Sequence, residues 1–306
     1  MTDRTLAFDI GGSSVKVALV EGRAEPRIAA RFAPIALQTC EIGELERVVL
    51  SAAAAALEDA ERIDRVAIST TGLVDADEIV TYSRSIAGYA GTSWSHALER
   101  AFPGRFEAVH VANDGDCAAW AEFVAGSGRS SESHAHFVLG TGLGGGAVVA
   151  GALVTDPPGG AGNFGHLPVP ATEHLTCAAC GRDRCAEEFA ATRGVLRSAD
   201  GRATSVRELS ARMLSGDSAA ASAFATAGAW LGHAIAAVVR SLTIESVTIG
   251  GGLAVAARTR TENVYVDAAR RTAQQLIGPA LQVHESRLDN DAGLLGAAAL
   301  AASPVR

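Results

Sequence analysis

Four side chains within twenty residues, His166, Cys177, Cys180 and Cys185, offer one imidazole and three thiolates. That is the donor set of a closed, structural zinc site. His174 is an alternative nitrogen ligand, and reduced cysteines without metal are the plainer reading. Three of the five cysteines fall between 177 and 185, a spacing for metal ligation rather than for a disulfide framework. Cys40 and Cys117 read as ordinary thiols. Two glycine turns form a second group. Gly11-Gly12-Ser13-Ser14 and Gly140-Thr141-Gly142 each join two apolar stretches. Converging backbone N–H groups and hydroxyls make such turns anion-binding concavities, and glycine permits close approach of a phosphate. Neither turn is a P-loop or a Rossmann fingerprint. Lys16, the only lysine, shares a strand face with Ser14; its ammonium either reaches a phosphate or simply faces solvent. Asp9, at the mouth of the first turn, suits Mg²⁺ directly or through water. Asn113-Asp114 precedes a helix, where such a pair is either an N-cap or a reactive carboxylate beside a hydrogen-bonding amide.

The elements that must position these groups are legible from periodicity. Strands are expected at Leu6–Asp9, Val15–Val20, Ile28–Phe32, Arg65–Ser69, Ala108–Val111, His136–Leu139, Ala147–Ala150, Val247–Ile249 and Leu281–His284. Helices are expected at Gly43–Ala60, Asp114–Ala125, Ser218–Leu242, Thr261–Ile277 and from Ala292. Their alternation indicates an α/β architecture. The stretches Leu6–Ser14 and Phe137–Gly146 echo one another, which suggests two halves built alike.

Length and composition narrow the function. The 306 residues are 48% hydrophobic with net charge −8, and 25 of the 26 cations are arginine. The length fits about two domains, and an acidic chain without a basic cluster excludes nucleic-acid binding as its main task. The start has no basic region followed by an apolar one, and glycines break the longest uncharged stretch, Phe137–Val154, so neither a secretory signal nor a membrane span is expected. A cytoplasmic protein follows.

The ordered motifs Asp9-Ile10-Gly11-Gly12, Asn113-Asp114, Leu139–Gly146, Gly165-His166 before the cysteines, Gly250-Gly251-Gly252 and Asp291-Ala292-Gly293-Leu294 resemble the ROK family (repressors, open reading frames and kinases). The resemblance spans essentially the whole chain. It implies a two-lobed, actin-like ATPase fold of the ribonuclease H-like kind with a structural zinc site. It implies ATP with Mg²⁺ between the lobes, the nucleotide meeting Asp9, Gly11, Gly12, Ser13, Ser14, Lys16, Thr141, Gly142, Gly251 and Gly252. A sugar would meet Ser85, Gly88, Asn113, Asp114, Asn163, His166 and Glu187. Asp114 would be the general base that accepts the sugar hydroxyl proton. His166, Cys177, Cys180 and Cys185 would hold the zinc, with His166 also touching sugar. The lobes are expected at 1–111 with 291–306 and at 112–290, in a homodimer joined through the larger lobe.

Several departures bear on substrate. Ser13-Ser14 replace the family's Thr-Lys, as in a polyphosphate-using branch. Arg184 replaces a glycine of the cysteine motif, and Cys177 lies one residue further from Cys180 than the motif has it. Asn163 stands where the family has a carboxylate, and Ser85 where it has an asparagine. Asn163 both donates and accepts, which suits an acylamino group. Leu153–Gly162, Ala119–Phe123 and Asp291–Ala298 most resemble the family's N-acetylmannosamine kinases. The expected reaction is phosphorylation of the 6-hydroxyl of an N-acyl hexosamine, N-acetylmannosamine first. The alternatives are an ATP- or polyphosphate-dependent glucokinase and a non-catalytic sugar-binding protein. The first glycine turn begins ten residues in, so the helix-turn-helix of the family's repressors is not expected.

Overall fold

The computed structural model describes residues 3–59 and 62–303. β-Branched and apolar runs form the strands, and most extend slightly past the expected limits. From the N-terminal end come β1 (Arg4–Ile10), β2 (Ser14–Glu21), β3 (Arg27–Arg31), β4 (Ile35–Ala36), α1 (Ile42–Asp59), β5 (Arg65–Thr70), β6 (Leu73–Val74), β7 (Ile79–Tyr82), β8 (Thr92–Ser93), α2 (Trp94–Ala101), β9 (Ala108–Asn113) and α3 (Asp114–Val124). There follow β10 (His134–Leu139), β11 (Leu143–Val149), β12 (Ala152–Leu153), α4 (Ala186–Ala190), α5 (Thr192–Ser198), α6 (Val206–Leu214), α7 (Ser218–Leu242), β13 (Ser246–Gly250), α8 (Gly252–Ala256), α9 (Val264–Ile277), β14 (Gln282–Glu285) and α10 (Ala292–Ala302).

The chain divides into two compact units. The first holds residues up to Ala125, Val154–Ala161 and the chain from Asn290 onward. The second holds Gly126–Leu153 and Gly162–Asp289. Helix α3 therefore belongs to the first unit, whereas the larger lobe was expected to begin at Ala112. The cause is packing: α3 lies along α10, and a side chain at Gly296 would collide with the Cys117 backbone. Small residues let these two helices approach closely.

The first unit is built on a sheet in the order β3-β2-β1-β5-β9, with β4 also pairing β2. β1 and β2 are an antiparallel hairpin, and β5 and β9 run parallel to β1. Leu6, Phe8, Ile10 and Ile68 from the sheet pack with Leu45 and Val49 of α1 in one apolar cluster. Leu45, Val49, Ala53 and Ala56 make the buried stripe of α1, at the helical period. A small sheet, β6-β7-β8, was not anticipated. Its strands have two to four residues, too few to show a period.

The second unit is built on a sheet in the order β12-β11-β10-β13-β14. Here too a hairpin, β10 and β11, is extended by two parallel strands, β13 and β14. β11 begins at Leu143, not at Ala147 as expected, because Gly144, Gly145 and Gly146 pair with Val138, Phe137 and His136. Phe164 covers this stretch, its ring 5.0 Å from that of Phe137. α7 is long and apolar enough to cross a membrane, but 61% of its apolar window is buried inside the protein. It packs along α9 as a core helix.

Candidate active site

In parallel α/β sheets, ligands are met at the carboxyl ends of the strands. Register brings the first unit's candidate residues to that edge. Ile10 pairs with Thr70, which pairs with Asn113, so Asp9 with the first glycine turn, Ser69, and Asn113-Asp114 end their strands together. The turn is closed by the Gly11 N–H donating to Ser14 O at 2.9 Å, and Ser13 O accepts the Leu37 N–H at 2.9 Å. The Ser83–Gly91 loop carrying Ser85 and Gly88 reaches this turn. A Cβ on Gly12 would lie 2.9 Å from Ser85 Cβ, so glycine there lets the two segments meet. Behind the loop the Tyr89 hydroxyl lies 2.6 Å from Thr70 Oγ1 and accepts from Trp94 Nε1 at 2.9 Å. Burial pushes this phenol up to about 12.

Lys16 stands directly opposite Asp9 across the hairpin. Its ammonium donates to Asp9 Oδ2 at 2.8 Å and to Asn290 O at 3.2 Å. Neither expectation for Lys16 named this partner: its first contact is the carboxylate at the mouth of the turn. Ser69 Oγ donates to the other oxygen of Asp9 at 3.1 Å.

Of the two roles weighed for this pair, Asn113 takes the cap. Asn113 is the N-cap of α3: its Oδ1 accepts from Gly115 N at 2.8 Å and Asp116 N at 3.4 Å, while Nδ2 donates to Gly72 O at 2.7 Å. With capping met by its neighbour, Asp114 accepts the Gly115 N–H at 2.9 Å and also a hydrogen bond from the Asn113 side chain, and it is exposed to solvent. Protein packed round the group nevertheless strips enough water, and Asp9 adds enough negative charge, to push this carboxyl up to about 6. Asp116, one turn-position on, rises to about 7 through burial and the charges of Asp114 and Asp156. Its Oδ1 is buried without a hydrogen-bond partner.

In the second unit, the second glycine turn and Gly250–Gly252 share one edge, because Val138 pairs with Gly250 at the ends of β10 and β13. Thr192 at the start of α5 anchors the turn: its Oγ1 and N–H donate to Gly140 O at 2.7 and 3.2 Å. Thr141 is exposed. Glu187 closes over the turn from α4, its Oε2 accepting the Leu143 N–H at 3.0 Å. A Cβ on Gly142 would sit 2.6 Å from that oxygen, so only glycine admits the carboxylate. Gly251, at φ 92°, caps α8, which begins at Gly252.

His166, Cys177, Cys180 and Cys185 converge, their four donor atoms all within 4.8 Å of one another. Cys177 Sγ lies 3.7 Å from His166 Nδ1, and Cys180 Sγ 3.5 Å from Cys185 Sγ. A tetrahedron with Zn–S bonds of about 2.3 Å has edges near these lengths, so the residues fit a zinc ion. Cys177 joins despite its altered spacing, because a turn, with Gly181 N–H donating to Cys177 O at 2.9 Å, absorbs the extra residue. His174 is outside the group; its Nδ1 pairs with Asp183 Oδ2 at 2.7 Å. Arg184 takes φ 55°, a conformation that explains the glycine the motif has there. Asn163 precedes the short helical turn that carries His166.

A family model described as the ROK family matches residues 5–303. The chain belongs to the ROK family. Among curated proteins, the N-acetylmannosamine kinase of Escherichia coli O139:H28 is 31% identical over 300 residues, covering 97% of this chain and 98% of the relative. Among solved structures, a ROK family glucokinase from Streptomyces griseus in complex with glucose and AMPPNP has TM-score 0.81 at 26% identity, covering 97% of this chain and 99% of that one. The ROK hexokinase from Thermus thermophilus also has TM-score 0.81 at 26% identity, covering 97% of each chain. This ROK chain stands with the family's sugar kinases, and its α/β fold is of the actin-like ATPase class.

Within each unit, side chains that the sequence reading did not single out support the candidate residues. Ser69 holds Asp9, while Arg193 and Glu188 surround Glu187. Each meets its partner only through the fold, except that Glu188 adjoins Glu187 in a run of two acids, the one local signal available.

Proposed function

We propose that this ROK kinase transfers the terminal phosphoryl group of ATP to the 6-hydroxyl of an N-acyl hexosamine, with N-acetylmannosamine as the favoured acceptor. The observation that carries the reading is the state of Asp114. It is a carboxylate spared from capping by Asn113, at the carboxyl edge of a parallel sheet, and raised to about 6. Such a group is ionised at neutral pH, and its raised basicity suits acceptance of a hydroxyl proton as phosphoryl transfer proceeds.

Each remaining residue has a part. The Asn113 side chain orients a neighbouring sugar hydroxyl. Ser85, Gly88, His166 and Glu187 supply further polar contacts to the sugar, and Asn163 meets the acylamino group with both a donor and an acceptor. Amides and hydroxyls of Gly12, Ser13 and Ser14, and separately of Thr141 and Gly142, receive phosphate oxygens, while Gly11 shapes the first turn through its bond to Ser14 O. Gly251 and Gly252 lie toward the nucleoside. Lys16 both steadies Asp9 and lends positive charge to the phosphate side. Asp9 would hold Mg²⁺: its two oxygens each carry one neutralising or donating partner and keep a free lone pair. The ion would offset charge on the phosphoryl oxygens. His166, Cys177, Cys180 and Cys185 would hold a structural zinc, which fixes the loop bearing His166 and leaves no open coordination position.

The nearest second reading is a glucokinase, favoured by the Streptomyces griseus likeness. The relative at 31% identity and Asn163 in place of a carboxylate favour the N-acyl sugar. A panel of hexoses and N-acyl hexosamines, each with ATP and with polyphosphate, separates them. N-acetylmannosamine with ATP is expected to give the highest kcat/KM. Glucose ahead of every amino sugar would reject the acceptor, and polyphosphate ahead of ATP would reject the donor.

A further inference from the structure

Glu187 and Glu188 are neighbours on α4, with side chains only 6% and 8% exposed. Two adjacent carboxylates withdrawn from water need cations or donors facing them. Arg193, on the first turn of α5, provides them. Its Nε donates to Glu188 Oε2 at 3.0 Å, and its Nη2 to Glu188 Oε1 at 2.6 Å and to Glu187 Oε1 at 3.4 Å. Each carboxylate is also tied to a different loop. Glu187 Oε2 accepts from Leu143 in the second glycine turn at 3.0 Å, and Glu188 Oε1 accepts from Ala178 in the cysteine loop at 3.0 Å. An unbroken series of polar contacts thus runs from Ala178 through Glu188, Arg193 and Glu187 to Leu143, entirely within the second unit.

We infer that Arg193 is a positioning residue for acceptor binding, its guanidinium holding the Glu187 carboxylate over the glycine turn by tying it to Glu188 and the cysteine loop. The inference rests on the proposed function, since Glu187 matters to turnover only where it meets a sugar hydroxyl. Arg193 is 42% exposed, so its stem is not a core packing element; the fork is the engaged part. A planar guanidinium meets one carboxylate with two parallel bonds and still reaches a second, which an ammonium does not reproduce. Without the fork, Glu187 faces the Glu188 carboxylate with no cation between them and leaves its place on the turn.

The test uses Arg193→Gln and Arg193→Lys in the full-length, metal-loaded protein, with N-acetylmannosamine as the varied substrate. Hydrogen bonds to a charged group are typically worth about 10–100-fold. Arg193→Gln is therefore expected to raise the sugar KM by about 10–100-fold with a smaller fall in kcat and an unchanged metal-to-protein ratio. Arg193→Lys is expected to move the KM in the same direction by less. Amide hydrogen exchange at Leu143, which loses its acceptor, is expected to quicken in both variants. That readout needs no substrate. If the wild-type protein phosphorylates no sugar, the functional reading fails, while Leu143 exchange still decides the role of Arg193. Wild-type sugar KM together with wild-type Leu143 exchange, in whichever variant folds, overturns the inference. So does a KM change accompanied by loss of metal, because Arg193 would then be supporting the cysteine loop.

Discussion

The two units carry one sheet plan and put different chemistry on it. In each, a glycine-turned hairpin is extended by two parallel strands, giving the orders β3-β2-β1-β5-β9 and β12-β11-β10-β13-β14. The first unit gathers acids at its strand ends: Asp9 paired with Lys16, Asp114 reaching solvent, and Asp116 beside it. The second has one acid at a described strand end, Glu285 of β14, and Arg258 and Asn263 both donate to it. Its turn is fastened by Thr192 and Glu187, and a cysteine and histidine cluster shapes the loop behind. The lesson is that one backbone plan is furnished twice, with several acids gathered at the strand ends of the first unit and a fastened turn beside a cluster of thiols and an imidazole in the second.

The largest expected difference between the units concerns metal. Cys185→Ser removes one of four ligands in the second unit. Loss of a structural site of this kind costs folding free energy directly. Bound zinc is expected to disappear, with hydrogen exchange rising through residues 166–185 and unchanged in β1. Equal loosening of both units would show that the cluster is not local to the second.

Acid is expected to act on the units in opposite directions. His134 and His136 are buried on β10 and share Thr248, with His134 Nε2 and His136 Nδ1 at 2.9 and 2.7 Å from its Oγ1. Burial holds them down, His134 to about 3 and His136 to about 4. The unfolded chain therefore binds more protons below about pH 6.5, and stability falls as pH drops, by roughly 2.7 kcal/mol per unit while both imidazoles contribute. Asp114 and Asp116 are raised instead, so the folded first unit binds more protons than the unfolded chain between about pH 4 and 7 and gains stability there. Exchange at pH 7 and pH 5 should show β10 and β13 losing protection relative to β1 and β5. The reverse order would contradict the assignment.

A smaller effect tests the scaffold of the reactive unit. Tyr89→Phe leaves the buried Trp94 N–H and Thr70 hydroxyl without their shared partner, at a cost of about 1–3 kcal/mol. Denaturant unfolding should register it, with the second unit's exchange unchanged. Asn113→Ala should cost about 1 kcal/mol through the lost cap of α3, and should reduce sugar affinity as well.

The likeness between the units was visible in the sequence, because glycine turns between apolar runs are local signals that Leu6–Ser14 and Phe137–Gly146 both carry. The cysteine cluster was visible for the same reason, although only the fold brings Cys177 to His166 and sends His174 to Asp183. A cap and a base look alike before a helix, so only the resemblance pointed to Asp114 as the base; the structure adds that Asn113 is the cap of α3. Three partnerships were out of reach. Lys16 with Asp9 depends on hairpin register, Ser69 with Asp9 on sheet pairing 60 residues apart, and Arg193 with Glu187 on the angle between two short helices. The strands β6, β7 and β8 were missed because two to four residues show no alternation.

The central claim is that a single carboxylate in the acidic unit deprotonates the acceptor. Asp114→Asn, assayed for turnover and for sugar binding by calorimetry on the same preparation, tests it most directly. Loss of a general base typically costs 10²–10⁴-fold, so kcat is expected to fall by about that factor while the sugar Kd changes little. Turnover within a few-fold of wild type, with sugar binding intact, would contradict the account.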